Sequence, residues 1–231
     1  MQSIQTVSEN TIYVGASDRR LAKFENLFPI PRGVSYNAYV ILDEKTALLD
    51  TADASVGAQF LENVAAALDG RKLDYLIVDH MEPDHAAMIE AVLVRWPDLR
   101  LVVNAKTLPM LKMYFPTDSA AIDDALVVKE GDTLDLGKHK LTFVMAPMVH
   151  WPEVMMTFDT TTGTLFSADA FGTFGALEGA LFADEVDFAG KWLDDARRYY
   201  ANIVGKYGTP VQNVLKKAAG LDIQYLCPLH G

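Results

Sequence analysis

Four of the five histidines in this chain of 231 residues lie in short stretches beside other candidate ligands, and two share one string, His80-Met81-Glu82-Pro83-Asp84-His85. Side chains at 80, 82, 84 and 85 cannot share one face of a helix or a strand, whose repeats are 3.6 and 2 residues. A tight loop can turn all four inward. The string follows the apolar run Leu73-Asp74-Tyr75-Leu76-Ile77-Val78 and precedes a helical pattern from Ala86. It therefore belongs at the C-terminal end of a strand, where open α/β sheets place their ligands.

Three further stretches share that design. Met148-Val149-His150-Trp151-Pro152 follows an apolar run ending at Met145, Ser167-Ala168-Asp169-Ala170-Phe171-Gly172 follows one ending at Phe166, and Cys227-Pro228-Leu229-His230-Gly231 follows the last one. If these strands point the same way, the loops converge with four imidazoles and three carboxylates: His80, Glu82, Asp84, His85, His150, Asp169 and His230. A single metal ion would leave buried carboxylates unpaired, which costs several kcal/mol or forces protonation. Two ions about 3.5–4 Å apart and sharing a bridging carboxylate would use the whole set. Imidazole with carboxylate and no thiolate suits iron, manganese or zinc.

The elements that must position these loops are read from periodicity and turn residues. Strands are expected at Asn10 to Gly15, Tyr75 to Val78, Leu101 to Asn104, Leu126 to Lys129 and Ile223 to Leu226. Hairpins are expected at Val34 to Leu42 with Thr46 to Asp50, at Thr133 to Leu136 with His139 to Met145, and at Val154 to Phe158 with Thr164 to Ser167. Helices are expected at Ser55 to Leu68, Ala86 to Trp96, Thr107 to Phe115, Phe188 to Tyr207 and Val211 to Ala219. So many hairpins exclude the strict βαβα alternation of a doubly wound fold. A mixed two-sheet α+β sandwich with helices on both outer faces, one domain over residues 1–231, fits instead.

Composition narrows the function classes. The net charge is −11, with 20 Lys and Arg against 31 Asp and Glu, so no basic stripe exists to neutralise nucleic-acid phosphates or to meet an anionic membrane. One cysteine, Cys227, permits no internal disulfide and fits a reducing cytoplasm. The first residues, Met1-Gln2-Ser3-Ile4-Gln5, show no signal-peptide pattern. A soluble cytoplasmic protein is expected.

The order of ligands resembles the metallo-β-lactamase superfamily, whose hydrolases carry H-x-H-x-D-H in the first loop and bind zinc. This chain has Glu82 at the third position. The H-x-E-x-D-H string followed by His150, Asp169 and His230 resembles the diiron domain of flavodiiron proteins, or A-type flavoproteins. The likeness extends to Val34-Ser35-Tyr36-Asn37-Ala38-Tyr39, His150-Trp151-Pro152 and Ser167-Ala168-Asp169-Ala170-Phe171-Gly172. The resemblance implies a four-layer αββα metallo-β-lactamase-like sandwich that reduces dioxygen to water or nitric oxide to nitrous oxide. It implies one iron on His80, Glu82 and His150, a second on Asp84, His85 and His230, and Asp169 as the bridge. The imidazole equivalent to His85 is not bound in every member. The resemblance also implies a head-to-tail homodimer, an FMN-binding flavodoxin-like domain after the final histidine, and rubredoxin as upstream donor. No flavin-binding loop occurs up to Gly231. FMN is therefore expected from a further domain or a separate flavoprotein, unless the chain is a stand-alone diiron oxygen sensor. A dinuclear zinc hydrolase is the other alternative.

Charge bookkeeping favours iron. Three carboxylates with two ferrous ions leave a site of +1, and two ferric ions with an oxo bridge leave +1 again, so two electrons can leave without stranding charge in a low-dielectric cleft. A histidine in place of Glu82 would remove one negative charge and suit a metal of fixed valence.

Other motifs have plainer readings. Asp84 is placed to cap the helix that follows. His139, in Gly137-Lys138-His139-Lys140, is expected in solvent, and Cys227 is expected to be a buried strand-end thiol. Thr160-Thr161-Thr162-Gly163-Thr164 faintly resembles a flavodoxin phosphate loop, but it joins hairpin strands and opens no helix, which makes it a β-turn. Trp151, Phe171 and Phe174 either shield a gas pocket or pack in the core.

Overall fold

Strands buried on both faces read as near-continuous apolar runs, and the runs in this chain build two stacked sheets. The computed structural model describes residues 3–116 and 120–231. The first sheet has seven strands in the order Gln5–Ser8, Thr11–Tyr13, Tyr39–Leu42, Thr46–Leu49, Tyr75–Ile77, Arg100–Asn104 and Leu126–Val128. Its early pairs are antiparallel, and from Thr46–Leu49 onward the pairing is parallel. The second sheet has five strands in the order Thr133–Asp135, Lys140–Met145, Met155–Asp159, Thr164–Phe166 and Tyr225–Cys227, the last pair parallel.

Alternation sorts the two faces of each strand. Tyr39, Ile41, Leu49, Ile77 and Val102 point between the sheets, where they meet Leu141, Phe143, Met155, Phe166 and Cys227. Their neighbours Val40, Leu48, Leu76, Leu101 and Val103 point outward and join a cluster with Phe60, Val64, Ile89 and Leu111 of the helices Gly57–Leu68, Ile89–Arg95 and Thr107–Tyr114. On the far side, Val144, Met156 and Phe158 share their cluster with Tyr199, Ile203 and Val214. The result is the expected αββα layering. No helix among the described residues is long and apolar enough to cross a membrane.

Several expectations need correction. The predicted first strand is the second of a hairpin, because the polar edge strand Gln5–Ser8 carries little apolar pattern. Two small ribbons, Ala16–Asp18 with Val34–Tyr36 and Lys23–Phe24 with Phe28–Pro29, were not expected. The helix predicted from Ala86 starts earlier, at Pro83, whose fixed φ suits a first helical position. It breaks after Ala86 and resumes at Ile89. Glu82, not Asp84, occupies the cap position, so Asp84 is no N-cap. The long helix predicted over Phe188 to Tyr207 is segmented into Phe188–Lys191, Leu193–Tyr199, a π-turn at Tyr200–Val204 and a 3-10 turn. The wider π-turn lets consecutive residues Ile203 and Val204 both be buried.

His139 is the plainest reversal. It is fully buried, its Nδ1 lies 2.8 Å from Asp159 Oδ2, and its backbone N–H donates to Asp43. Asp159 is itself buried and also accepts from Thr161 and Thr162. Cys227 is buried as expected, and residues 160–163 form the tight turn between Met155–Asp159 and Thr164–Phe166. His139→Ala is expected to lower unfolding stability by about 2–4 kcal/mol, since it opens a cavity and strips a partner from a buried carboxylate. Urea denaturation would measure this. A loss within about 0.5 kcal/mol, typical of a surface change, would contradict it.

Candidate metal centre

Strand direction brings the loops together. Lys140–Met145 is antiparallel to Met155–Asp159, which is antiparallel to Thr164–Phe166, which is parallel to Tyr225–Cys227. Three chain segments therefore leave the second sheet at the same end, carrying His150, Asp169 and His230. The first sheet delivers His80 to His85 to that end from Tyr75–Ile77, and the N–H of Met155 donates to Asp79 O, stitching the two sheets at the rim.

All seven predicted side chains meet there, none more than 9 % exposed. They form two groups, His80, Glu82, His150 with Asp169, and Asp84, His85 with His230, each with potential ligand atoms within 4.8 Å of one another. In the first group, Glu82 Oε2 lies 3.2 Å from His80 Nε2 and 2.9 Å from His150 Nε2. In the second, Asp84 Oδ1 is 3.5 Å from His85 Nε2, and Asp84 Oδ2 is 3.3 Å from His230 Nε2. Asp169 faces both. Its Oδ2 lies 3.0 Å from His150 Nε2 and 3.6 Å from His80 Nε2, while its Oδ1 lies 3.3 Å from His85 Nε2 and 3.6 Å from His230 Nε2.

The outer atoms fix the inner ones. His230 Nδ1 donates to the Ser35 carbonyl at 2.7 Å, so the neutral ring must present a bare Nε2 inward. His80 Nδ1 meets Glu153 Oε1 at 2.9 Å, and the same oxygen accepts from the Met81 N–H. This is the carboxylate–histidine pairing that orients metal-binding imidazoles. Asp50 Oδ1 accepts the N–H groups of Asp79 and His80, and Thr51 holds the His85 carbonyl. The last loop is tied to Val34–Tyr36 and its flank: Asn37 donates to Leu229, Pro228 and Gly231 carbonyls, and Gly231 N–H donates to Ser35 Oγ.

The donor set fits cations. His85 Nε2 and His230 Nε2 face each other at 3.1 Å, while both Asp84 oxygens and Asp169 Oδ1 are buried without a hydrogen-bond donor. Burial disfavours charge on His80, Glu82, His150, Asp169 and His230, yet the mutual pull of acids and imidazoles outweighs it. Glu153, Glu82 and Asp169 hold His80 well above the ordinary imidazole range. Asp169 with Glu82, and Asp84 with Asp169, push His150 and His230 each up to about 9. The imidazoles in turn hold Asp169 and Glu82 well below the usual carboxylate range. Positive charge is strongly favoured here, whether as protons or as metal ions that displace them.

Sequence reasoning missed Glu153, Asp50 and Tyr199. Glu153 lies three residues beyond His150, and Asp50 ends a strand parallel to the one before His80, so both positions carried a signal. Tyr199 is buried with its hydroxyl unpartnered, and its ring packs 5.6 Å from that of His230. Burial and the nearby carboxylates of Asp169 and Glu82 keep its proton on. Trp151 is partly buried, edge-on to His80 at 5.5 Å, and Phe174 is core. Phe171 is 50 % exposed and does not pack in the core.

Residues 34–231 match the family model described as ODP family beta lactamase. A nitric oxide reductase from Moorella thermoacetica is 35% identical over 229 residues, covering 97% of this chain and 56% of the relative. An anaerobic nitric oxide reductase flavorubredoxin from Klebsiella pneumoniae is 35% identical, covering 97% and 46%. The chain thus spans about half the length of the curated relatives it matches. Among solved structures, rubredoxin oxygen:oxidoreductase from Desulfovibrio gigas superposes with a TM-score of 0.92 at 31% identity, over 99% of this chain and 56% of that one. The flavodiiron protein from Giardia intestinalis gives 0.91 at 27% identity, over 100% and 55%. With the αββα fold and the paired histidine–carboxylate groups, these matches establish that the chain belongs to the ODP family of β-lactamase-like proteins, as a flavodiiron-type core.

Proposed function

We propose that this chain is the diiron core of an oxidoreductase that reduces dioxygen or nitric oxide, with electrons drawn from a flavin or rubredoxin donor. The observation that carries the reading is the bridging posture of Asp169, one oxygen toward each group of a set with three carboxylates. His80, Glu82 and His150 would hold one iron, Asp84, His85 and His230 the other, with Asp169 between. Iron bound there would supply redox electrons and an open coordination position for a diatomic gas. The residues themselves do the positioning: Glu153 and the Ser35 carbonyl fix the ring faces of His80 and His230. Burial of the cluster excludes bulk water. The third carboxylate, Glu82, supports iron over a zinc hydrolase, since it leaves the loaded site one positive charge lower than a histidine there would, which favours the more highly charged ferric ions in a dry cleft.

Anaerobic loading with iron is expected to give two irons per chain and, with a reduced flavoprotein, steady consumption of dioxygen or nitric oxide. Two zinc ions and ester turnover in their place would sink the proposal. Glu82→His is expected to lower iron occupancy and abolish gas reactivity, and unchanged oxygen uptake would count against the redox reading. Glu153→Gln is expected to weaken metal binding by about 10–100-fold, as loss of an outer-shell carboxylate does. Competition with a chelator would measure it, and an unchanged affinity would show that the Glu153–His80 contact is irrelevant to the metal.

A further inference from the structure

Next to Asp169, on the side of the helices Leu193–Tyr199 and Gly208–Ala218, lies a cavity of about 280 Å³. Its inner wall is Val149, Ala170, Val204 and Val214, all buried. Its rim carries Phe171, Tyr200 and Leu215, which are 50 %, 50 % and 40 % exposed. Asp169 is the one charged side chain along it. An ester, lactam or phosphate would need convergent polar groups to be oriented; besides Asp169 the lining adds only the hydroxyls of Tyr199 and Tyr200 and the amide of Gln212, with no cation to hold an anionic group. A small molecule of low polarity needs none, and apolar cavities of about 150 Å³ already stay dry and bind xenon.

A second feature lies on the same rim. Phe171 is two residues from Asp169 and has φ +69°. A bulky residue in the left-handed region is a genuine outlier, and such strain persists only where the surroundings impose it. The strained backbone holds an aromatic ring in solvent between this cavity and a neighbouring apolar one that it also lines. Burial of Phe171 would relieve exposed apolar surface, yet the loop that fixes Asp169 keeps it out.

We propose that the cavity beside Asp169 binds small apolar gas molecules and admits them to the metal centre, with Phe171 and Leu215 framing its mouth. The inference rests on the gas-reducing reading for the identity of the gas, but the cavity itself can be tested without iron.

Crystals of the chain pressurised with xenon are expected to show xenon against Val149, Val204 and Val214, and Val214→Trp is expected to lose it. Should Val214→Trp fail to fold, Leu215→Trp changes only the rim. It is expected to slow oxidation of the iron-loaded chain by dioxygen about tenfold or more, with metal affinity within about twofold of the parent. Xenon ordered elsewhere and absent here, or an oxidation rate unaffected by Leu215→Trp, would overturn the inference. Xenon bound here in a chain whose iron-loaded form ignores both gases would support the cavity as a gas site and overturn the functional reading instead.

Discussion

Hydrogen-bond acceptors do not face one another in a dry cleft unless positive charge stands between them. His230 has no freedom in this respect. Its Nδ1–H is committed to the Ser35 carbonyl, so its Nε2 lone pair points at His85 Nε2, and both Asp84 oxygens with Asp169 Oδ1 close the circle without donors of their own. Protons are one answer, and the raised affinity of His150 and His230 for them shows how strong the demand is. Two metal ions are the answer that uses every ligand at once. The field that holds protons on imidazoles and strips them from carboxylates is the field that binds a divalent cation once those protons leave.

That demand explains the frame around it. Buried loops carrying charged groups need their backbone polar groups satisfied, and the ties reach across the whole molecule. The Tyr36-Asn37-Ala38 stretch holds no ligand, yet Asn37 pins the last loop through three carbonyls, and Tyr39 Oη adds a fourth contact to Pro228. A motif noticed in the sequence only as part of a family likeness is the clamp that sets the position of His230. Asp50 plays the same part for the first loop, accepting two successive N–H groups where the chain turns toward His80.

The sequence made the clustered histidines and carboxylates legible because each sits in a short loop after an apolar run, a pattern that needs no knowledge of distant contacts. The sandwich was legible for the same reason, since hairpins announce themselves by alternation and turn residues. What stayed hidden depends on three-dimensional company. Gly137-Lys138-His139-Lys140 reads as a solvated hairpin tip, but the buried Asp159 of the neighbouring strand draws the imidazole inward. The helical period from Phe188 onward is real at Trp192, Tyr199 and Ile203, yet one extra residue per turn at Tyr200–Val204 shifts the register, which no periodicity reveals. The ribbons near Lys23 and Phe28 are two residues long per strand, too short for any pattern.

The cost of this arrangement is distributed along the rim. Asp50, Met148, Ala168 and Phe171 all have φ between 50° and 69°, and each lies in a segment that carries or braces a ligand. Residues without the freedom of glycine pay on the order of 1–3 kcal/mol each in that region. This backbone strain makes the rim a local cost on a fold stabilised by its two sandwich clusters. A ligand that binds only the folded chain returns stability in proportion to its occupancy. A metal bound there and the frame would therefore support each other in both directions. The sheets hold four loops in postures that water alone would not sustain, and cations held in common by those loops would lower the cost of keeping them there.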